Sequence, residues 1–377
     1  MRNRHTEKFQ IIDLFAGVGG LSLGAVRAGF QISLAVENDK HALSSHFLNF
    51  PKVKHWNQDI SKVNGAKILQ QAGLTIGQLD GLVGGPPCQG FSYIGRRQSG
   101  DPRNALFLKF FSLIDECKPS FFVVENVLGI LHKKYADILD SAFEIVKGDY
   151  EVLEPLKIKA CDFGAPTIRE RVFFIGYRPD LVQKLSGEDF DNQKVDTPVN
   201  VGQALKGLPV NIKKHWLTEP DSWRKLRPVK ENEFLYRLNT YIPEGVGNNN
   251  ALQLYKADRL VSGCFGTNHT PEVEQRYVCL RQGEKDKISR SVRLKKDGFC
   301  PTLRAGTGSD RGSHQALRPI HPTQPRVITP REAARLQGFP DWFQFAPSKW
   351  HSFRQIGNSV CPTVSEAVFG AIINKLL

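Results

Sequence analysis

Cys88 is the residue of this chain best placed to act as a nucleophile. It stands in Gly84-Gly85-Pro86-Pro87-Cys88-Gln89-Gly90-Phe91-Ser92, directly after an apolar run, Leu79 to Val83, that reads as a short buried strand. The glycines and prolines stop that strand and shape a loop. Open α/β sheets bind their ligands at the carboxyl ends of strands, and nothing nearby offers Cys88 a disulfide or metal partner. The plain alternative is a small buried hydrophobe, which the flanking prolines and glycines argue against.

A second apolar strand, Ser120 to Val124, ends in Glu125-Asn126-Val127. Glu125 therefore shares an edge with Cys88, where it could hold or donate a proton beside a reacting thiol; alternatively it caps the segment that follows. Farther on, Cys161 to Arg171 links two further strands, Glu151 to Lys159 and Arg171 to Tyr177. If that link is extended, Arg169 and Arg171 point the same way. Two guanidinium groups on one face suit a phosphate or a polar base edge; the alternative is a pair of surface arginines bridged to Glu170.

These groups need a scaffold, and the amino-terminal sequence supplies one. Phe9 to Phe15 reads as a strand, Ala16-Gly17-Val18-Gly19-Gly20 as a glycine turn, and Leu21 to Ala28 as a helix closed by Gly29. Strand, glycine turn and helix open a nucleotide-binding βαβ unit. Glycines let the backbone approach a ligand, and the helix amino terminus attracts negative charge. The next strand, Ile32 to Val36, ends in Glu37, 20 residues beyond Gly17, where an acid can hold ribose hydroxyls. A third segment ends at Asp59-Ile60, whose carboxylate could meet an adenine amino group. No separate pyrophosphate element is present, so an adenosine cofactor without phosphates fits as well as NAD. Asn104 to Cys117 reads as a helix. Thr329, Pro330 and Glu332 open another as N-cap, first turn and third position, and Thr363 to Leu376 is a closing helix that could pack back on the first domain.

The 377 residues suffice for one large domain or two ordinary ones, and 40% hydrophobic content supports a core. Seven cysteines form no Cys-x-x-Cys pair, which excludes a zinc site and a disulfide framework and suggests a reducing compartment. No metal is expected, the first apolar run is no signal peptide, and no stretch approaches a membrane span. Net charge is +13, and residues 191–325 hold 22 Lys+Arg against 14 Asp+Glu. That concentration favours a polyanionic partner such as nucleic acid. Beyond Pro179 periodicity weakens and Gly, Pro and Asn become frequent. Arg304 to Arg318 is rich in Gly, basic and hydrogen-bonding groups, as a loop-dominated domain gripping a nucleic-acid backbone would be. Trp216, Trp223, Phe234 and Tyr236 give that part a small packed core.

With these segments assembled, the chain resembles the DNA cytosine-5 methyltransferases, most like those of bacterial type II restriction–modification systems. The matching blocks occur in the family's order: Asp13 to Gly20, Glu37-Asn38-Asp39, Asp59-Ile60, Gly85 to Ser92, Glu125-Asn126-Val127, Arg169-Glu170-Arg171, Thr329 to Pro340, and Gln355 to Val360. They cover about 1–178 and 326–377. The resemblance implies that Cys88 adds to carbon 6 of cytosine, that carbon 5 then takes the methyl of S-adenosylmethionine, and that a base removes the carbon 5 proton so that the thiol can leave. It gives Glu125 the contact to ring nitrogen 3, and places Arg169 and Arg171 near the flipped base and the thiol, where their charge favours thiolate. Phe15, Gly17, Gly19, Gly20, Glu37, Asn38, Asp59, Ile60, Pro86, Asn358 and Val360 match positions around the cofactor. The target base must be extruded from the duplex, and the loop Gly90 to Arg103 would close over it. Thr167 stands where the family often has Gln, and Asn38 where it often has an aromatic. Cys361-Pro362 is a small variation on a Pro-containing pattern.

The expected fold is α/β: a doubly wound, Rossmann-like S-adenosylmethionine-dependent methyltransferase domain at 1–190, with 350–377 packing back onto it, plus a smaller irregular target-recognition domain at 191–349. The expected partners are double-stranded DNA and a restriction endonuclease acting on the same site without a stable complex. The enzyme is expected to be a monomer in the bacterial cytoplasm, without a membrane partner. RNA methylation by the same chemistry is a second reading, against which the long insert between Arg178 and Arg326 argues. A non-catalytic DNA-binding or cofactor-sensing module is a third, against which the intact Cys88, Glu125, Arg169 and Arg171 argue.

Overall fold

The computed structural model describes residues 8–87, 102–212, 222–230, 232–306 and 316–377. Cys88 and nearly all of the loop Gly90 to Arg103 lie outside the described residues, as do Trp216 and the centre of Arg304 to Arg318. In chain order the elements are β1 (Gln10–Leu14), α1 (Gly20–Arg27), β2 (Gln31–Glu37), α2 (Lys40–Asn49), β3 (Lys54–Asn57), α3 (Gly65–Ala72), β4 (Gly81–Gly84), α4 (Pro102–Cys117), β5 (Phe121–Asn126), α5 (Ala136–Val146), β6 (Glu151–Val152), β7 (Leu156–Lys159) and β8 (Glu170–Tyr177). There follow α6 (Gly187–Asp191), α7 (Val201–Ala204), β9 (Arg224–Lys225), α8 (Glu233–Asn239), α9 (Asn249–Asp258), β10 (Leu260–Val261), α10 (Pro271–Cys279), α11 (Pro330–Leu336), α12 (Lys349–Asn358) and α13 (Pro362–Ile373).

The main sheet runs β3-β2-β1-β4-β5-β8-β6, with β7 also paired to β8. Strands β3, β2, β1, β4 and β5 are parallel. The chain winds from β1 outward to β3, then crosses back to β4 and β5. The order reverses between β1 and β4, so a crevice opens at the carboxyl ends of those two strands. Strand β8 is antiparallel to β5, with Asn126 opposite Val172. Its amino end, carrying Arg169 and Arg171, therefore reaches the same edge of the sheet.

Alternation along the strands builds a core on each face. Ile12, Leu14, Leu34, Leu82, Phe122, Val124 and Phe174 point to one side, against α3, α4 and α5. Ile11, Ile32, Val83, Phe121, Val123, Phe173 and Ile175 point to the other, against α1 and α13. Each fully buried Phe contributes about 2–3 kcal/mol, so without α13 the second face would lose Val364, Val368, Phe369 and Ile372 as cover. The closing helix thus packs back on the sheet as expected, over Pro362–Ile373.

The run Glu151 to Lys159, read from sequence as one strand, is two, β6 and β7. Pro155 lies between them and has no N–H to donate to the ladder. The capping expectation at α11 is met in full: Thr329 Oγ accepts from Glu332 N, and the Glu332 carboxylate accepts from Thr329 N. One stretch does have membrane-span length and composition, Lys349–Ile373. It is the pair α12 and α13, broken at Ser359 to Cys361, and 78% of its apolar window is buried in the protein. It is core.

A third core gathers Leu205, Leu226, Phe234, Leu238, Trp342, Phe343 and Ile356, and takes in Val18, Leu23 and Phe50 from the amino-terminal half. Its hub is Arg335, which donates to both oxygens of buried Asp341 at 2.9 and 2.5 Å and to the carbonyls of Ala204 and Lys206.

Candidate active site

The glycine turn follows β1 at the crevice. Phe15 has φ 60°, a left-handed conformation that is strained for an aromatic residue. Gly19, at φ 98°, must be glycine on two counts: an added Cβ would lie 2.5 Å from the Phe50 ring and 3.0 Å from His46 Cδ2. Gly20 must be glycine because a methyl there would overlap Ser359 Oγ and the Val360 carbonyl. The junction of α12 and α13, carrying exposed Asn358 and buried Val360, thus lies directly against the first turn of α1.

Glu37 ends β2 and ties the turn down. One carboxylate oxygen accepts from Gly17 N at 2.9 Å, the other from Asp39 N at 2.8 Å. Burial pushes its carboxyl up, and these backbone N–H groups partly offset that. Each oxygen keeps a second lone pair for ligand hydroxyls. Asn38 is exposed beside it. Asp59 departs from expectation: the strand stops at Asn57, and Asp59 caps the single turn Ile60–Lys62. Its Oδ1 accepts from Ser61 N and Ser61 Oγ, which lowers its pKa, while Ile60 is buried.

Glu125 lies across the crevice, near the end of β5. Arg171 Nε is 2.8 Å from Glu125 Oε1, so Glu125 is paired across the sheet and does not cap the next segment. An added Cβ on Gly85 would lie 3.1 Å from Glu125 Oε2. Asn126 Nδ2 donates to the carbonyl of buried Pro86 at 3.4 Å. The backbone leading to Cys88 is therefore held against Glu125 and Asn126. Arg169 is buried, not a surface arginine; it donates to the carbonyls of Leu303 (3.3 Å) and Gly357 (3.0 Å). One guanidinium thus joins β8, the segment around 303 and the end of α12. Arg169 and Arg171 face the same small cavity, beside Val360 and Cys361, as their alternate spacing implied.

Five of the other thiols are buried and poor nucleophiles. Burial pushes Cys117 and Cys264 up to about 12 and Cys361 up to about 11, and raises Cys161 and Cys300. A protonated, desolvated thiol does not attack.

A glycine turn with an acid at the end of β2, a second acid beside the Gly-Pro-Pro segment and two arginines at the start of an antiparallel strand thus meet at one sheet edge. The family model for C-5 cytosine-specific DNA methylase matches residues 9–374. The chain belongs to the C-5 cytosine-specific DNA methylases.

The methylase is 38% identical over 367 residues to type II methyltransferase M.XorII of Xanthomonas oryzae pv. oryzae, covering 97% of this chain and 84% of that one. It is 32% identical to type II methyltransferase M.DdeI of Desulfomicrobium norvegicum, over 95% of this chain and 87% of that one. Among solved structures it is similar to a candidate DNA modification methyltransferase encoded within an E. coli prophage: TM-score 0.87, 47% identity, 98% of this chain and 99% of the other. Dnmt2 methyltransferase of S. pombe, 17% identical with TM-score 0.63 over 97% of this chain and 99% of that one, shares the fold. The methylase is thus a DNA cytosine-5 methyltransferase that uses S-adenosylmethionine, built on the expected Rossmann-like fold.

Sequence reasoning missed two features of this site. The anchoring of Arg169 to two distant carbonyls leaves no local pattern. A buried hydrogen-bonded chain beneath the glycine turn, Asp13, Ser22, His46 and His55, was signalled only by the aspartate interrupting an apolar strand.

Proposed function

We propose that the methylase acts through Cys88, Glu125, Arg169 and Arg171, and that it is the modification enzyme of a type II restriction–modification system. The observation that carries this reading is the Arg171–Glu125 ion pair beside Gly85, at the sheet edge shared with the glycine turn. S-adenosylmethionine, when bound, supplies an electrophilic methyl group. Phe15, Gly17, Gly19, Gly20, Glu37, Asn38, Asp59, Ile60, Pro86, Asn358 and Val360 would surround it. The donor set supports that fit, since Glu37 is already oriented by two backbone N–H groups and needs no rearrangement to accept hydroxyls.

The Cys88 thiolate adds to carbon 6 of an extruded cytosine, and the ring's electron pair shifts toward carbon 5. Glu125 holds a proton at ring nitrogen 3, so that the negative charge developing there is neutralised. Arg171 keeps Glu125 turned toward Gly85. Arg169 is a positioning residue that fixes the start of β8 to the end of α12. After methylation, loss of the carbon 5 proton releases the Cys88 thiolate and restores the aromatic ring.

Residues 191–349 would recognise the target sequence, with duplex DNA in the basic cleft between them and the catalytic part. A cognate endonuclease cutting the same site, a monomeric state and a bacterial cytoplasmic location belong to the same proposal. Purified enzyme, labelled S-adenosylmethionine and unmethylated bacteriophage DNA test it, with Cys88→Ser and Glu125→Gln alongside. Label should appear as 5-methylcytosine in DNA and vanish with Cys88→Ser. Transfer to tRNA alone would move the substrate to RNA, and full activity of Cys88→Ser would overturn the assignment of the nucleophile.

A further inference from the structure

Beneath the glycine turn lies a buried chain of four polar side chains from four different elements. Ser22 Oγ of α1 is 2.6 Å from Asp13 Oδ2 of β1. His46 of α2 places Nε2 3.0 Å from Ser22 Oγ and Nδ1 2.8 Å from His55 Nε2 of β3. Asp13, Ser22 and His46 are fully buried, whereas His55, at the far end, is half-buried. His46 also supports the turn sterically. Its ring stacks 4.4 Å from the ring of Phe50, and both rings fill the space that a Cβ on Gly19 would need.

The chain has two consistent proton arrangements, which differ by a single proton. With Asp13 ionised, every donor points toward it: His55 Nε2–H to His46 Nδ1, His46 Nε2–H to Ser22 Oγ, and Ser22 Oγ–H to Asp13. With Asp13 protonated, its own O–H donates to Ser22 Oγ, Ser22 Oγ–H to His46 Nε2, and His46 Nδ1–H to His55 Nε2, while the His55 proton moves to Nδ1. One proton taken up thus reverses three hydrogen bonds. Asp13 and His55 mark the ends: Asp13 also accepts from the Ser22 backbone, and His55 also bonds the Val53 backbone. An ionised carboxylate buried this deeply is costly. Burial accordingly pushes the Asp13 carboxyl up to about 7, against the Ser22 hydrogen bond and with a smaller push from Glu37.

We propose that Asp13, Ser22, His46 and His55 are positioning residues that form a proton-linked floor for the glycine turn, and that their shared proton sets the affinity for S-adenosylmethionine. This rests on reading that turn as the cofactor site. The groups acting on the chain are few. Glu37 faces Asp13 from β2, and His55 faces His46 from β3. On α2 outside the chain, Asp39 meets Arg354 at 3.8 Å and His41 stacks on His351, both partners coming from α12. Burial lowers both chain histidines, so they stay neutral and relay a proton without storing charge. Since S-adenosylmethionine carries a sulfonium cation, an ionised Asp13 favours it and a protonated one does not. Affinity should therefore fall as pH drops from 8 to 6.

The test measures KM for S-adenosylmethionine and kcat on DNA at pH 6 and pH 8, with S-adenosylhomocysteine binding by calorimetry, for wild type, Ser22→Ala, His55→Gln and Glu37→Gln. Wild type should show a KM at pH 6 about three- to tenfold above that at pH 8, as linkage to one proton allows. Ser22→Ala and His55→Gln should bring that ratio near one, with kcat at saturating cofactor held within about twofold of wild type. His55→Gln changes the half-buried end of the chain and leaves the His46 and Phe50 rings beneath Gly19 in place, so it answers even if Ser22→Ala does not fold. A wild-type ratio of one, or a ratio unchanged in His55→Gln, overturns the proposal. Glu37→Gln separates the two readings: if it leaves S-adenosylhomocysteine binding intact, the cofactor is not at this turn and both readings fall. If Glu37→Gln weakens binding while the chain variants keep the wild-type ratio, only the chain is refuted.

Discussion

Replacing Gly24 by alanine should destabilise the methylase, although alanine is the better helix former. Gly24 lies inside α1, one turn after Gly20, and the two glycines make a bare strip on which the start of α13 lies. A methyl on Gly24 would overlap Ser365 Oγ and Glu366 N, and would sit 2.5 Å from Ser365 C. The hydroxyl could rotate away at the loss of its hydrogen bond to the Gly20 carbonyl (2.7 Å), but the backbone atoms cannot. Helix propensity alone favours alanine by about 1 kcal/mol. Overpacking a filled core costs about 1–3 kcal/mol, and backbone overlap puts this case at the upper end. The net expectation is a loss of about 2 kcal/mol. With a urea m-value of about 3 kcal/mol/M, the unfolding midpoint should fall by roughly 0.7 M with m unchanged. Gly148→Ala is the control, since nothing lies within 4 Å of the Cβ it would add, and it should stay within about 0.5 kcal/mol. Because Val360, just before α13, lies against the glycine turn, KM for S-adenosylmethionine should rise more than kcat falls. A midpoint for Gly24→Ala at or above wild type would refute the reasoning, since propensity would then have won over packing.

Three further outcomes follow from other parts of the structure. Arg335→Met should cost about 3–5 kcal/mol in urea unfolding, because it leaves the Asp341 carboxylate buried with only Asn239 donating to it from a side chain; Arg335→Met combined with Asp341→Leu should recover most of that, and a single-variant loss below about 1 kcal/mol would contradict the account. Stability should decline with acid through His321, whose Nδ1 accepts from Thr323 N and Gln324 N and whose burial lowers it from 6.5 to about 4. The folded state refuses a proton that the unfolded state binds, so this contribution is complete above 6.5 and is lost as pH falls from 6.5 toward 4, at about 1.4 kcal/mol per unit at most. His321→Gln should flatten the stability curve over that window, and an unchanged curve would exclude His321 as its source. Finally, Lys287 and Arg290 stand exposed on a turn that Asp286 pins by accepting from Ser289 N and Arg276 Nε. Changing both to Gln should reduce the slope of log K for DNA against log salt by about 1–2; an unaltered slope would take this turn off the DNA.

Much of this molecule was legible from local pattern. The strand–glycine turn–helix opening, the period-2 strands, the Thr329–Glu332 capping box and the acids closing β2 and β5 each depend on neighbours a few residues away, so sequence spacing alone specifies them. The motif blocks identified the chemistry for the same reason: each is short, contiguous and ordered along the chain. What stayed hidden depended on contacts across long sequence separations. Arg169 looks like any strand-end arginine until folding brings the Leu303 and Gly357 carbonyls to it. Gly20 and Gly24 look like flexible helix positions until α13, more than 330 residues later, closes on them. Asp13 looks like a flaw in an apolar strand until Ser22, His46 and His55 converge beneath the glycine turn. Local sequence determined which elements form and which residue types stand at their ends. Only the packed tertiary structure decided which buried polar groups find partners, because a desolvated group's charge state and orientation follow from whatever the fold places beside it.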